Sequence, residues 1–473
     1  MLAGLLAVTT VISLSFRAGA TRDNHPPAWL GERVPHTTPG HQGVLAAGVV
    51  LAVALLIASW VRLQRRVGEG WRRPPLRIAV AAGVLWVVPF VVSPPLLSQD
   101  VYSYAAIGQL VERGHDPYAV GPAALGGGPF LAAVDPLWRN TPTPYGPVIL
   151  ALTHGTAELA SGSLLNAVLL LRLVALGATA VAVALAVWAS KPSARGEVLL
   201  LTAVNPLVLL HLVSGAHLDA LIGAAAVGVV LLTLRARWSA AMVLASVAVM
   251  TKAPALVLVG FVLLYAARQA PAGRRLRSIG GLLAVSGATV GLVSLLVPNP
   301  FGWIAALVVP GRTRNLAAPS TWLAQAVSGL SNLVTGGLHQ ATALTIGRAL
   351  AMAIGSVLVL LLLWRGTGQP DRARAMRCVG GALLVVAVSG PVIYGWYLGW
   401  GLFAAAVGCR ARHRDALVVL SALSCAIGLP AMQKVPLTGQ IAVWVAVVAV
   451  GWWARPAAPR NRRVFVPRET RAA

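Results

Sequence analysis

Apolar runs of bilayer-spanning length recur along almost the whole chain, and they leave it little choice of fold. They fall near 43–61, 77–96, 164–190, 197–213, 218–234, 279–297, 343–364, 378–395, 416–431 and 437–454. Shorter or broken runs cover 2–16, 143–160, 239–251, 254–267 and 397–408. In hydrocarbon every backbone N–H and C=O must find a partner within the segment, so such runs become helices. The pattern predicts an all-α polytopic membrane protein with about 13–14 transmembrane helices. Composition agrees: 57% of residues are apolar and 11% charged, where a soluble surface needs roughly 25% charged. That excludes a soluble enzyme and a disordered chain. The net charge of +25 would suggest nucleic acid in a polar chain; here it reads as the positive-inside signature, with no nucleic-acid partner.

Sorted by loop, most of the 38 basic residues fall in 62–77, 191–195, 235–237, 268–277, 365–377, 410–414 and the tail after 454. These segments are expected to be cytoplasmic. The outer side then holds 97–142, the turn near 214–217, the loop 298–320, the aromatic turn 394–400 and 430–436. This alternation needs an odd number of crossings between 97 and 190, so either one of 143–160 and 164–190 is re-entrant or incomplete, or Lys191 and Arg195 are not cytoplasmic. Residues 2–16 are expected to be a retained first helix rather than a signal peptide, since no basic segment precedes them. Four stretches result: N-terminal helices and a basic loop at 1–76, a module at 77–267 holding the outer loop, C-terminal helices at 268–454, and a basic tail at 455–473. No internal repeat is visible. Cys378, Cys409 and Cys425 show no metal-ligand spacing and read as small buried hydrophobes.

The long first outer loop, 97–142, is the most informative segment. After Pro94-Pro95 stops a span, Asp100 to Gly114 reads as an amphipathic helix lying along the membrane surface, with Tyr104, Ile107, Gly108 and Val111 on one face. His115-Asp116-Pro117-Tyr118 and a Gly/Pro-rich turn follow, and Thr141-Pro-Thr-Pro-Tyr145-Gly-Pro147 leads back toward the membrane. Only 13 acidic residues exist, and most sit in basic loops where charge balance explains them. Asp100, at a polar–apolar boundary, is open to two readings: a catalytic base, or the N-cap of the helix it begins. Asp116 reads as a ligand contact or as an Asp-Pro turn residue.

A second cluster is Asn205-Pro206 through His211-Leu-Val-Ser214-Gly-Ala-His217-Leu-Asp219. Two histidines and a carboxylate in apolar sequence are costly to bury and point to function. His217 and Asp219 share no helix face unless a turn opens the helix; they suit a pocket lining better than a zinc site. Only Lys191, Lys252 and Lys434 are lysine. Lys252 lies in a hinge, Met250-Thr251-Lys252-Ala253-Pro254, and with Arg312 and Arg314 it could hold an anionic headgroup or simply snorkel to lipid. Tyr394, Trp396, Tyr397 and Trp400 read as an interfacial aromatic belt or as a sugar-stacking surface.

Taken together, Ser98-Gln-Asp100-Val-Tyr102-Ser-Tyr104, Gly114-His-Asp116-Pro-Tyr118, Trp138-Arg139-Asn-Thr-Pro-Thr-Pro-Tyr145-Gly-Pro147, the His211–Asp219 segment and Lys252-Ala-Pro254 resemble actinobacterial polyprenol-phosphate-mannose-dependent α-1,6-mannosyltransferases. The likeness is strong over about 80–260 and rests on hydropathy alone in the C-terminal half. One departure is Leu218, where the family pattern has Asn. The resemblance implies a GT-C glycosyltransferase fold in the plasma membrane with its active site on the outer face. It implies a polyprenyl-phosphate-mannose donor, a growing mannan or glycolipid acceptor of the lipomannan type, and inversion at the sugar. Asp100 is then the base. Tyr102, Tyr104, Asp116, Tyr118, Trp138, Arg139, Tyr145, His211, His217 and Asp219 are expected to line the substrate site, and Lys252, Arg312 and Arg314 to meet the donor phosphate. No Asp-x-Asp occurs, so no divalent metal is indicated by motif, and no cofactor is expected. The competing reading is a transporter or flippase for a lipid-linked sugar, which would more often show inverted repeats.

Overall fold

The computed structural model describes residues 1–19, 42–69, 76–308, 315–335 and 338–427. The expectations on Arg72, Arg73, Arg312, Arg314, Lys434, the run 437–454 and the tail lie outside the described residues. Of the described residues 78% are helical, and none is in a strand.

Helices α1 (Leu2–Gly19) and α2 (Gln42–Glu69) pack along each other, and α1 also meets α3 (Leu76–Val92). The outer-loop segment builds α4 (Asp100–Glu112) and α5 (Pro129–Ala133), then α6 (Pro147–Ala160). Next come α7 (Leu164–Ala189), α8 (Arg195–Leu201), α9 (Ala220–Leu234), α10 (Trp238–Val249), α11 (Leu256–Gln269) and α12 (Arg275–Ser294). The C-terminal half holds α13 (Gly302–Ala306), α14 (Pro319–Thr335), α15 (Gln340–Gly366), α16 (Arg372–Ser389), α17 (Gly399–Val407) and α18 (Ala411–Ala426). Four segments among the described residues are long and apolar enough to cross a bilayer, namely Ala47–Gln64, Leu164–Ala189, Ala272–Ser294 and Gln340–Gly366. Shorter apolar helices of 10–17 residues join them. All three cysteines are free, and Cys378 and Cys425 are buried.

Helix α9 is the hub. Apolar on every face, it touches α7, α10, α11, α16 and α17 and has no exposed residue, as a helix enclosed on all sides must. The outer flank is the reverse: Leu276, Leu292, Leu333 and Leu360 of α12, α14 and α15 are well exposed, which suits contact with lipid rather than water.

Several elements differ from their sequence expectation for identifiable reasons. The two runs between 97 and 190 differ in length. With 14 residues α6 spans about 21 Å, short of the roughly 30 Å core, whereas the 26 residues of α7 reach about 39 Å. The run 197–213 is not one span. After α8 the chain breaks at Thr202–Asn205, where Pro206 offers no N–H. Asn205 repairs the break, donating to the Leu201 carbonyl at 3.0 Å and to Ser421 at 2.9 Å and accepting from the Leu207 amide at 3.0 Å. The chain then makes a π-helical turn over Val208–Ser214. Helix α4 is not half-exposed at a surface: Val101 to Leu110 are all buried, against α5, α6 and α7. Gly108 allows this, since a β-carbon there would stand 2.1 Å from the Thr153 carbonyl oxygen. Helix α14 was hidden in the sequence because Thr321, Gln325, Ser328, Ser331 and Asn332 dilute its apolar face.

Arg172 of α7, 2% exposed, was also not singled out. Its guanidinium donates to the carbonyls of Phe90 and Ser93 at the end of α3. Pro94 cannot supply the amide that Phe90 would normally pair with, so the arginine closes the helix that leads into Asp100. Replacing it should strand the Ser93 carbonyl and leave that of Phe90 with the Ser93 hydroxyl at 3.1 Å: Arg172→Leu is expected to lower stability by about 2 kcal/mol, read as a drop in thermal midpoint in detergent, with Arg172→Lys intermediate. A variant as stable as wild type would show that water serves those carbonyls instead.

Candidate active site

The turn after the π-helical segment brings the two sequence clusters together. Ala216 takes φ 54°, the helix opens, and His217 and Asp219 point to different neighbours. The His217 ring is fully buried; its Nδ1 lies 2.8 Å from the His211 carbonyl oxygen. A carbonyl only accepts, so Nδ1 carries the hydrogen. The other nitrogen, Nε2, faces Ser98 Oγ at 3.3 Å and Asp100 Oδ2 at 3.5 Å. Neutral His217 therefore accepts from the Ser98 hydroxyl, and the imidazolium form donates to Asp100. Asp100 is the first residue of α4, and Gln99, its N-cap, makes no side-chain capping bond. Its carboxylate is 15% exposed.

Asp219 is 1% exposed and is held by two donors: Lys252 Nζ at 2.8 Å and Trp400 Nε1 at 2.6 Å. Lys252 thus has a buried partner. Its ammonium also sits 4.4 Å from the ring of Tyr397 and 5.1 Å from those of Tyr145 and Trp400, a cation–π cage. The hinge carrying it is pinned by backbone bonds from Gly146 N to Thr251 O at 3.1 Å and from Val148 N to Met250 O at 3.0 Å. A β-carbon at position 146 would lie 2.1 Å from the Met250 oxygen, so the Tyr145-Gly146-Pro147 motif is a close-approach motif that aims Tyr145 at Lys252.

The aromatic turn faces inward. Trp396 stacks on His217 with centroids 3.9 Å apart and on Tyr394 at 4.7 Å, and Tyr397 stacks on Trp400 at 4.5 Å. Trp396 and Trp400 are 6% and 3% exposed, which overturns an interfacial belt. Asn315 Nδ2 donates to the Ile393 carbonyl at 3.1 Å and Ser320 Oγ to that of Gly390 at 3.1 Å, so α14 and its approach hold the turn. Tyr104 joins through its hydroxyl, 3.2 Å from that of Tyr145. Burial pushes both phenols well above their ordinary pKa, so they remain neutral. Burial raises Tyr394 to about 12, with Asp100 and then Asp135 adding to the effect.

One polar–aromatic cluster therefore unites Asp100, Tyr104, Tyr145, His217, Asp219 and Lys252 with the four aromatics of 394–400. His211 stands behind it, its Nε2 3.2 Å from the Ser424 carbonyl oxygen. Other expected site residues serve the loop itself. Asp116 accepts from the Tyr118 amide and from Asn299, both at 2.9 Å. Tyr118 packs with Trp303 and Ile107 in a separate apolar cluster. Arg139 donates to the carbonyls of Val134 and Ala132 at 3.1 and 3.3 Å, and Trp138 lies against the cluster that includes Phe130 and Val134. Tyr102 is buried on α4 and faces Arg172; burial lifts its phenol to about 12. No group of three or more His, Cys, Asp or Glu side chains suited to a metal occurs among the described residues.

Residues 1–268 match the family model described as "Alpha-(1->6)-mannopyranosyltransferase, N-terminal domain", more than half of the chain. The chain belongs to this α-(1→6)-mannopyranosyltransferase family. Residues 320–455 match a second model, "MptB C-terminal domain", so the likeness extends into the half where the sequence had offered only hydropathy. An α-(1→6)-mannopyranosyltransferase A of Mycobacterium tuberculosis is 29% identical over 433 residues, covering 88% of this chain and 81% of that one. Another α-(1→6)-mannopyranosyltransferase of the same organism is 33% identical, over 67% of this chain and 63% of its own length. The α-(1→6)-mannopyranosyltransferase B of Corynebacterium glutamicum is 28% identical over 446 residues, 86% of this chain and 73% of that one. No solved structure matches. The protein is thus a membrane glycosyltransferase.

The Asp219–Lys252 pair yields a direct test. Lys252→Met leaves a carboxylate buried with Trp400 as its remaining partner and is expected to cost about 3 kcal/mol. Asp219→Asn combined with Lys252→Met should recover most of that loss in a thermal melt. Additive losses in the double variant would show that the two side chains act separately.

Proposed function

We propose that the cluster at Asp100 moves a mannosyl group from a polyprenyl-phosphate-mannose donor to the end of a growing α-1,6-mannan, with inversion at the anomeric carbon, and that the protein does so within a GT-C arrangement at the outer face of the plasma membrane. The observation that carries this reading is the partly open Asp100 carboxylate, held beside His217 at the edge of an aromatic wall. A flat, partly open aromatic face such as that of Tyr394 suits the apolar C–H face of a sugar ring.

The chemistry is a single displacement. The acceptor hydroxyl gives its proton to Asp100 as its oxygen bonds to the sugar's anomeric carbon. The bond from that carbon to the phosphate oxygen breaks, and its electron pair leaves with the polyprenyl phosphate. Because the leaving group is already a phosphate, one base suffices. His217, its Nδ1–H tied to a carbonyl, holds Asp100 in place. We assign Lys252, Arg312 and Arg314 to the departing phosphate, where positive charge favours the transition state; Lys252 meets it already oriented by Asp219 and the aromatic cage.

Asp100→Asn should fold normally, since the amide keeps the size of the carboxylate, whose contact is with His217. Transfer of radiolabelled mannose from a polyprenyl phosphomannose in membranes should fall by about 10³-fold. Activity close to wild type would remove Asp100 from the mechanism, and no transfer by the wild type from any such donor would remove the donor assignment.

A further inference from the structure

A second site stands at the far ends of the helices that carry the active cluster. Helix α11 begins beside Lys252, α17 begins at the aromatic turn, and α16 ends just before it. Their other ends converge on a cavity of about 690 Å³, within the range of small-ligand sites. Arg268, Arg365, Arg374, Arg377, Arg410 and His413 line it, and no carboxylate does. Two of the arginines are occupied: Arg268 donates to the Trp364 carbonyl at 2.6 Å and Arg377 to that of Gly408 at 2.7 Å. Arg365, Arg374 and Arg410 have no hydrogen-bonding or ion-pair partner among the described residues. Helices α16 and α18 begin at the same place; Asp371 caps the first, accepting from the Ala373 amide at 3.0 Å, while the second has no side-chain cap.

Three arginine side chains with no protein partner among the described residues, on one concavity, offer a ready site for an anion, although Asp371 lies near enough to act on Arg377. The remaining wall is hydrocarbon, including Leu362, Leu384 and Leu420. Just beyond it along α15, Val357, Leu358, Leu360 and Leu361 are 43–64% exposed. A cationic pocket opening onto an exposed leucine flank fits a molecule that is phosphate at one end and alkyl chain at the other. We infer that this cavity binds the phosphate headgroup of an anionic phospholipid, with an acyl chain laid along α15. Arg374 and Arg410 grip the phosphate oxygens, and Arg365 closes over them. The lipid would lock together the basic ends of α11, α15, α16 and α18, whose opposite ends position the sugar chemistry.

Native mass spectrometry of the purified full chain tests this, using phosphatidylglycerol against phosphatidylcholine as probes. Wild type should retain phosphatidylglycerol more tightly, and Arg374→Gln with Arg410→Gln should lose about tenfold in that retention. Arg274→Gln with Arg277→Gln, at the same basic end but outside the cavity, should leave it unchanged. The cavity variant should melt as wild type does in phosphatidylcholine nanodiscs, because neither arginine holds a protein group, and wild type alone should gain stability when phosphatidylglycerol is added. Equal retention of both lipids, or an equal loss in the Arg274/Arg277 control, would overturn the site. Stabilisation by millimolar inorganic phosphate equal to that by phosphatidylglycerol would overturn the lipid assignment in favour of a soluble anion.

Discussion

A carboxylate and an ammonium almost sealed from solvent hold the polar–aromatic cluster together. Asp219 follows the opened turn between α8 and α9, and Lys252 sits in the hinge between α10 and α11. Trp400, which also donates to Asp219, begins α17. Three stretches of chain far apart in sequence therefore meet on one carboxylate. Neither charge is tolerable alone at that depth, so each fixes the other. The pair sets where Tyr145, Tyr397 and Trp400 stand around the ammonium, and Trp396, four residues before Trp400, then lies flat on His217. The geometry around Asp100 is downstream of that single neutralisation.

How much of this was legible depended on whether the signal was local. The helices and the hinge at Lys252 follow from apolar runs and a proline. What escaped was set by tertiary pairing. Tyr394 to Trp400 has the composition of an interfacial belt, and only the presence of His217 and Lys252 opposite turns it inward. Arg172 looks like an arginine stranded in a span until the carbonyl left bare by Pro94 supplies its purpose. The burial of α4 on all sides hangs on Gly108 meeting the Thr153 carbonyl, which no periodicity announces. Asp116, Tyr118 and Arg139 carry the family resemblance, yet in the fold they brace the loop beside the cluster; a recognisable motif preserves architecture as readily as chemistry.

The family match divides the chain near the end of α11, and the cluster does not respect that division. Asp100, His217, Asp219 and Lys252 come from residues matched by the N-terminal model, while the wall from Tyr394 to Trp400 comes from those matched by the C-terminal one. Ser424 of α18 supports His211 from behind. The C-terminal helices are therefore part of the site.

The enclosed helix α9 has a consequence for how the protein is made. In the finished bundle it meets no lipid, but α16 and α17, which cover part of it, are synthesised more than a hundred residues later. During that interval the same faces must rest against acyl chains, as helices do when they insert before they associate. A surface of alanine, glycine, valine and leucine is acceptable to both neighbours in turn. The absence of a polar stripe on α9 thus reflects a biogenesis in which one surface serves first as a membrane-facing side and afterwards as the centre of the molecule.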